Sequence, residues 1–264
     1  MVKLKSFGGA LIIRKYCKNW IRTLFTLIGV YHHTEVQFRD GKLVPLDRYS
    51  HDLFHEEIYV RFNEDHGFTY EQQCTERSVV LPKKLGGYTL SMGKIIPYSF
   101  EIDEVFIQNS YRFPNLSNMI AIDIGAGIGD SAIAMLNAGA KKVFAYEPDR
   151  ERFMIASKNI RQNKLESRIF LFNYAVSARG EHSFSSINTS IDNSILFLKM
   201  DCEGCEYEIL GETGKEYFNR IAGIALEYHN SAKPLAIRLR NLGFKVKCFG
   251  KIIVAVKMKN ELNP

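Results

Sequence analysis

The chain has 264 residues, 46% of them hydrophobic, which suffices for a full core in one large domain, or one domain with an N-terminal extension. Its net charge of +6 sits in residues 1–30, where Lys3, Lys5, Arg14, Lys15, Lys18 and Arg22 face no acidic residue. The remainder balances 29 basic against 29 acidic residues, poor footing for nucleic-acid binding, so no nucleic-acid partner is expected. Five scattered cysteines, an odd number, argue against a disulfide framework and for a reducing, cytoplasmic setting.

In chain order, the apolar residues of Ile13–Ile28 recur at helical spacing. The longest uncharged stretch, Thr23–Tyr31, is too short to span a bilayer, and Arg22 interrupts any signal-peptide core. A basic amphipathic helix here could lie on an anionic membrane surface, or pack on its own domain or a second subunit. Glu35–Leu46 reads as a hairpin about Asp40-Gly41. Ser50–Asn63 reads as a helix with Ser50 as N-cap. Ser78–Leu81 and Tyr88–Met92 read as strands, and Glu101–Arg112 as a helix. His51, His55 and His66 do not have metal-ligand spacing, and no metal site is expected. Residues 1–112 thus form an α+β extension ahead of a second domain at 113–264.

That domain is organised around residues 119–131. An apolar run ends at Asp123, and Gly125, Gly127 and Gly129 follow at alternate positions before a helical stretch from Asp130. This predicts a buried parallel strand, a tight turn and a helix start, where backbone N–H groups can approach a ligand. A second strand, Lys142–Tyr146, ends in Glu147, 24 residues after Asp123. A carboxylate at that strand tip can accept hydrogen bonds from both ribose hydroxyls of an adenosine-containing ligand. Further strands are expected at Ile169–Phe172, Ile195–Met200 and Gly223–Leu226, with helices at Asp149–Asn163 and Ala232–Leu242. Lys245–Cys248 and Lys251–Val256 read as a closing hairpin. The Ser- and Asn-rich stretch Ser177–Ser194 shows no strong helical period and reads as a long loop or small hairpin. Polar or acidic residues end all five strands: Asp123, Glu147, Asn173, Asp201 and Glu227. Open α/β sheets bind ligands at those ends.

The strings DIGAGIGD, AYEPD, NYAVS, LKMDCEGCEYEIL and LEYH resemble the FkbM-type methyltransferases, which use S-adenosylmethionine. The resemblance covers roughly residues 100–258. It implies a class I methyltransferase fold: a Rossmann-like, mostly parallel seven-stranded sheet with helices on both faces and a reversed last strand. It also implies that Asp123, Gly125, Ala126 and Gly127 line the methionine part of the cofactor. Glu147 would hold the ribose and Pro148 would border the adenine. Asn173 and Ala175 would face the adenine, and Asp201 would sit beside the sulfonium. Family members are similar to O-methyltransferases acting on hydroxyls of sugars, glycans or secondary metabolites.

A hydroxyl acceptor needs a base. His229, Asp201 and Glu203, at or just past strand ends, are the candidates, with His229 favoured for its ordinary pKa near 6.5. Two other readings compete: an NAD(P)-dependent oxidoreductase using the same glycine turn, and a non-catalytic scaffold on a membrane surface. The acceptor and the oligomeric state are not legible.

Overall fold

The computed structural model describes residues 7–47, 49, 51–73, 76–93, 102–192 and 194–258. The chain divides into two compact units, residues 1–107 and 108–264.

In the first unit the expected single N-terminal helix is two, α1 (Phe7–Tyr16) and α2 (Trp20–Leu27). Strand pairing causes the break: Cys17 bridges Phe38, and the Lys18 N–H donates to the Gln37 carbonyl at 2.7 Å. β1 (Thr34–Gln37) and β2 (Leu43–Leu46) form the anticipated antiparallel hairpin, with Gly41 at a φ of 96° in its turn. α3 (His51–Asp65) follows; its expected N-cap, Ser50, lies outside the described residues. Ile13, Cys17, Val36, Phe38, Phe54 and Ile58 form the buried core of this unit, with Trp20 packed partly buried against it. β3 (Thr69–Gln73), β4 (Glu76–Val80) and β5 (Thr89–Gly93) make a three-stranded antiparallel sheet. β3 was not anticipated. Nor do the described residues of the helix expected at 101–112 form one helix: Asp103–Ile107 is a single π-type turn, and Asn109 and Arg112 take left-handed φ of 46° and 49°, which end helical propagation. Among the described residues, no helix is long and apolar enough to cross a membrane.

The second unit is built on a seven-stranded sheet. Its strands are β6 (Ile120–Ile124), β7 (Lys142–Tyr146), β8 (Ile169–Phe172), β9 (Leu196–Met200), β10 (Ile221–Glu227), β11 (Phe244–Phe249) and β12 (Ile252–Lys257). Their spatial order is β8-β7-β6-β9-β10-β12-β11. The β6–β10 pairings are parallel, and β12 runs antiparallel to both β10 and β11. This is the class I methyltransferase sheet with its reversed last strand, as expected. β6 and β9 are apolar and buried at nearly every position, as parallel strands covered on both faces must be; the charged exceptions, Asp123 and Lys199, are buried too. Between the strands run α4 (Asp130–Asn137), α5 (Arg150–Gln162), α6 (Phe184–Ser190), α7 (Cys205–Glu212) and α8 (Ala232–Asn241).

α6 corrects the expectation of a loop between β8 and β9. The Ser183 hydroxyl caps it by accepting from the Ser186 N–H, and Phe184, Ile187 and the following Ile191 are buried against the sheet core. Three apolar anchors at spacings of three and four suffice to dock so short a helix, although polar residues fill its other positions.

Candidate functional site

The strand order reverses between β6 and β9, and the crevice beyond the C-terminal strand ends there is where open α/β sheets take ligands. The glycine turn lies at this point. Gly125 has a φ of 78°, and a Cβ added to it would stand 1.8 Å from the Asp201 carbonyl oxygen. Only glycine permits the backbones after β6 and β9 to come so close. The Gly125 and Ala126 N–H groups donate to the Tyr146 carbonyl, tying the turn to the end of β7.

Glu147 reaches back to the same turn. Its Oε2 accepts from the Gly127 N–H at 2.8 Å and its Oε1 from the Asp149 N–H at 2.8 Å. The side chain is buried, which raises its pKa, and the two backbone bonds oppose that rise. Each carboxylate oxygen retains a lone pair for a further donor. Pro148, Asn173 and Ala175 are exposed nearby in the chain path, and the Asn173 amide donates to the carbonyls of Glu147 (2.9 Å) and Pro148 (3.1 Å). Asn173 therefore fixes the β7 tip.

Asp123, expected to line the methionine part of the cofactor, stands near the C-terminal end of β6. It is fully buried; Oδ2 accepts from Ser131 Oγ at 2.6 Å, and Oδ1 lies 3.1 Å from Lys199 Nζ. Lys199 was not anticipated as a site residue, although a lone charge inside the apolar run of β9 was a visible signal.

The second cluster stands at the ends of β9 and β10. Asp201 Oδ2 accepts from Tyr111 Oη at 2.5 Å. His229 Nε2 lies 3.3 Å from Glu203 Oε2 and 3.8 Å from Asp201 Oδ1. His229 Nδ1 donates to Glu206 Oε1 at 2.8 Å. A carboxylate only accepts, so Nδ1 carries a proton and Nε2 is the nitrogen that titrates. Burial lowers the His229 pKa, but the Glu206 hydrogen bond and the charges of Glu203, Glu206 and Asp201 outweigh it, and the net shift is upward. The three sequence candidates, Asp201, Glu203 and His229, are thus brought together. Glu203 is largely exposed, with a left-handed φ of 55°. Glu206 and Tyr111 were missed as partners. Glu206 was visible only as the last acidic residue of the Asp-Cys-Glu-Gly-Cys-Glu run, and Tyr111 carried no local signal.

Cys202 and Cys205 form a disulfide around the Glu203-Gly204 turn, against the expectation from their odd number. A three-residue separation already brings the two sulfurs together, so total count was no guide. Among the described residues, two groups have donor types suited to a cation: Cys202, Cys205 and Glu206, whose sulfurs are spent in the disulfide, and Asp201, Glu227 and His229. Burial and the neighbouring Asp201 charge both raise the Glu227 pKa.

Residues 109–191 match the family model of the ribosomal protein L11 methyltransferase. No curated protein matches the chain. Solved structures that match include a precorrin-6y methyltransferase from Geobacter metallireducens, 17% identical over 57% of this chain and 86% of that one, with a TM-score of 0.43. Another is a tRNA methyltransferase of M. jannaschii, 15% identical over 73% of this chain and 57% of that one, with a TM-score of 0.43. A third is M. capricolum TrmK bound to S-adenosylhomocysteine, 15% identical over 60% of this chain and 71% of that one, with a TM-score of 0.41. The presence of a tRNA methyltransferase among them corrects the expectation that excluded nucleic acid. Net charge averages over a whole surface and does not rule out a local basic face. Over its glycine turn, Glu147 strand tip and following crossover, residues 109–191, the chain is similar to methyltransferases of the ribosomal protein L11 kind.

Proposed function

We propose that the 108–264 unit transfers a methyl group to a hydroxyl acceptor held at the ends of β9 and β10, with His229 taking the acceptor's proton. The enzyme is an S-adenosylmethionine-dependent methyltransferase. Its residues suit that cofactor: a cradle at Gly125 that a Cβ would fill, and a buried strand-tip carboxylate, Glu147, already ordered on the Gly127 N–H. Glu147 would hold the ribose and Gly125–Gly127 the amino-acid end. When bound, S-adenosylmethionine supplies a methyl group activated by its sulfonium.

The observation that carries the acceptor side is the His229 constellation. Glu206 fixes the ring and its tautomer, which aims Nε2 toward Asp201 and Glu203. A hydroxyl placed there donates its proton to Nε2 as its oxygen takes the methyl group. A positioned base of this kind contributes about 10²–10⁴-fold. The resulting imidazolium is stabilised by Glu206, Glu203 and Asp201, whose charges favour it. Asp201, held by Tyr111, would sit beside the sulfonium, where a carboxylate favours its positive charge. A hydroxyl on a sugar, glycan or secondary metabolite fits this chemistry.

The test incubates the full chain with S-adenosylmethionine labelled in its methyl group and separated pools of cell extract: small metabolites, glycans, RNA and protein. Label in an ether-linked methyl of a metabolite or glycan is the expected result, and its loss in His229→Ala places the base. Label confined to base nitrogens of RNA, or to protein nitrogens, would overturn the hydroxyl reading while leaving the cofactor reading in place.

A further inference from the structure

β9 reads Leu-Phe-Leu-Lys-Met and is buried at every residue. Lys199 is its only charge, 2% exposed. Taking an ammonium out of water costs several kcal/mol, so a lysine at such a position is kept only with partners of matching geometry. The sheet supplies them. Lys199 and Asp123 are paired residues on the neighbouring parallel strands β9 and β6, so their side chains leave the same face of the sheet. Nζ lies 3.1 Å from Asp123 Oδ1, and it donates to the Gly125 carbonyl at 2.6 Å. It also lies 5.2 Å from the centre of the Tyr111 ring, within cation–π range. Burial opposes the charge on Lys199, but Asp123, Asp201 and Asp130 outweigh that and raise its pKa.

The second Asp123 oxygen accepts from Ser131 at the start of α4. Asp123 is thus bonded through Oδ2 to Ser131 and ion-paired through Oδ1 with Lys199, the latter without hydrogen-bond geometry. The mechanism above uses neither Asp123 nor Lys199. What the pair does reach is the turn: the Gly125 carbonyl points down to Lys199, while the Gly125 and Ala126 N–H groups are held by Tyr146 and the Gly127 N–H by Glu147. Of the two charged side chains in that set of bonds, Glu147 comes from the tip of β7 and Lys199 from within β9.

We infer that Lys199 is a positioning residue of the cofactor site: its ammonium, anchored on Asp123, clasps the Gly125 carbonyl and so sets the glycine turn for the amino-acid end of S-adenosylmethionine. The inference rests on the cofactor reading given above. Lys199 itself touches no reacting atom. It acts through the backbone of residues 125–127.

The test compares two ligands on the full chain by calorimetry: S-adenosylhomocysteine, which carries the amino-acid end, and 5′-methylthioadenosine, which lacks it. Lys199→Met should weaken S-adenosylhomocysteine by about tenfold or more, the loss of one charge-assisted bond, and change 5′-methylthioadenosine by no more than about threefold. If Lys199→Met leaves Asp123 unpaired and does not fold, the double variant Asp123→Asn with Lys199→Met removes both buried charges and carries the test. It should show the same selective loss, and Asp123→Asn alone should lose clearly less. Parallel loss of both ligands would reduce Lys199 to a general scaffold residue and overturn the inference. Wild-type affinities in the double variant would reduce it to a counter-ion and overturn the inference as well. A selective loss in Asp123→Asn as large as in the double variant would mean that Asp123 holds the ligand directly, which also overturns it. If the wild-type chain bound neither ligand, the cofactor reading itself would fall, a result distinct from all of these.

Discussion

His229 Nδ1 and Glu206 Oε1 lie 2.8 Å apart, and the carboxylate of this pair is wholly buried while the imidazole is only partly so. The buried partner therefore sets the ring, and the open nitrogen, Nε2, is left to exchange protons. This pairing links the proton chemistry of the site to the stability of the fold.

Glu206→Gln keeps the shape and removes the charge. The His229 pKa, raised in the wild type, should fall toward its ordinary value near 6.5. The base form rises with pH, so the acidic limb of the methyl-transfer rate should move to lower pH in the variant. The sign for stability runs the other way. A raised folded pKa contributes stability fully below about pH 6.5, and that contribution is lost as pH rises through the folded value. Melting temperatures recorded across that window should fall in the wild type and stay flatter in Glu206→Gln. A rate profile unmoved by the substitution would separate His229 from the proton transfer.

Glu147→Ala strips the Gly127 and Asp149 N–H groups of their acceptor and removes the ribose partner. Loss of a charge-assisted hydrogen bond costs about 1.5–3 kcal/mol. S-adenosylhomocysteine should then bind roughly ten- to a hundred-fold more weakly. Calorimetry on a variant shown to be folded by circular dichroism decides the matter; unchanged affinity would remove Glu147 from the ligand.

Gly125→Ala puts a methyl group 1.8 Å from the Asp201 carbonyl, a backbone atom that cannot swing away. The left-handed φ adds strain on the order of 1–3 kcal/mol. Both the turn and the Asp201 end of β9 must shift, so ligand affinity and turnover should drop together. Gly250→Ala is the control, since it also has a positive φ but nothing within 4 Å of the added Cβ. Equal behaviour of the two variants in urea melts and in ligand binding would contradict this account.

Phe184→Ala tests whether the short α6 is anchored as described. The ring is fully buried and stacks on Phe218 with centroids 5.5 Å apart. Truncating a buried phenylalanine costs about 3–5 kcal/mol. Urea unfolding should show a loss of that size with little change in the slope. A loss below about 1 kcal/mol would mean that α6 is not part of the core.

The fold around the candidate cofactor crevice was legible because it is local. Asp123 to Gly129 and Glu147 to Asp149 announce a strand, a turn and a helix start within a few residues each, and the parallel sheet follows from the apolar runs between them. The acceptor side depends on distant pairs. Glu206 meets His229 across 23 residues, and Tyr111 meets Asp201 across 90. Only the sheet topology brings these together. Lys199 was visible as an anomaly in an apolar strand, but its partner follows from β6 and β9 being neighbours, not from sequence distance. Two of the three departures in helix placement have one cause each. In α6, polar residues between Phe184, Ile187 and Ile191 hide a real anchor spacing. At Cys17–Asn19, helical periodicity continues through a break that pairing with Gln37 and Phe38 imposes.

Trp20, the chain's single tryptophan, packs in the first unit, on the core that α1 and the β1–β2 hairpin share. Arg14 stands over its indole at 5.7 Å from the ring centroid. Selective excitation of that indole therefore gives an optical label for one unit that nature has already installed. Tyrosines, in contrast, occur in both units. Emission from Trp20 followed beside circular dichroism in one denaturation experiment reports whether the two halves of the chain melt as a single cooperative body or in succession.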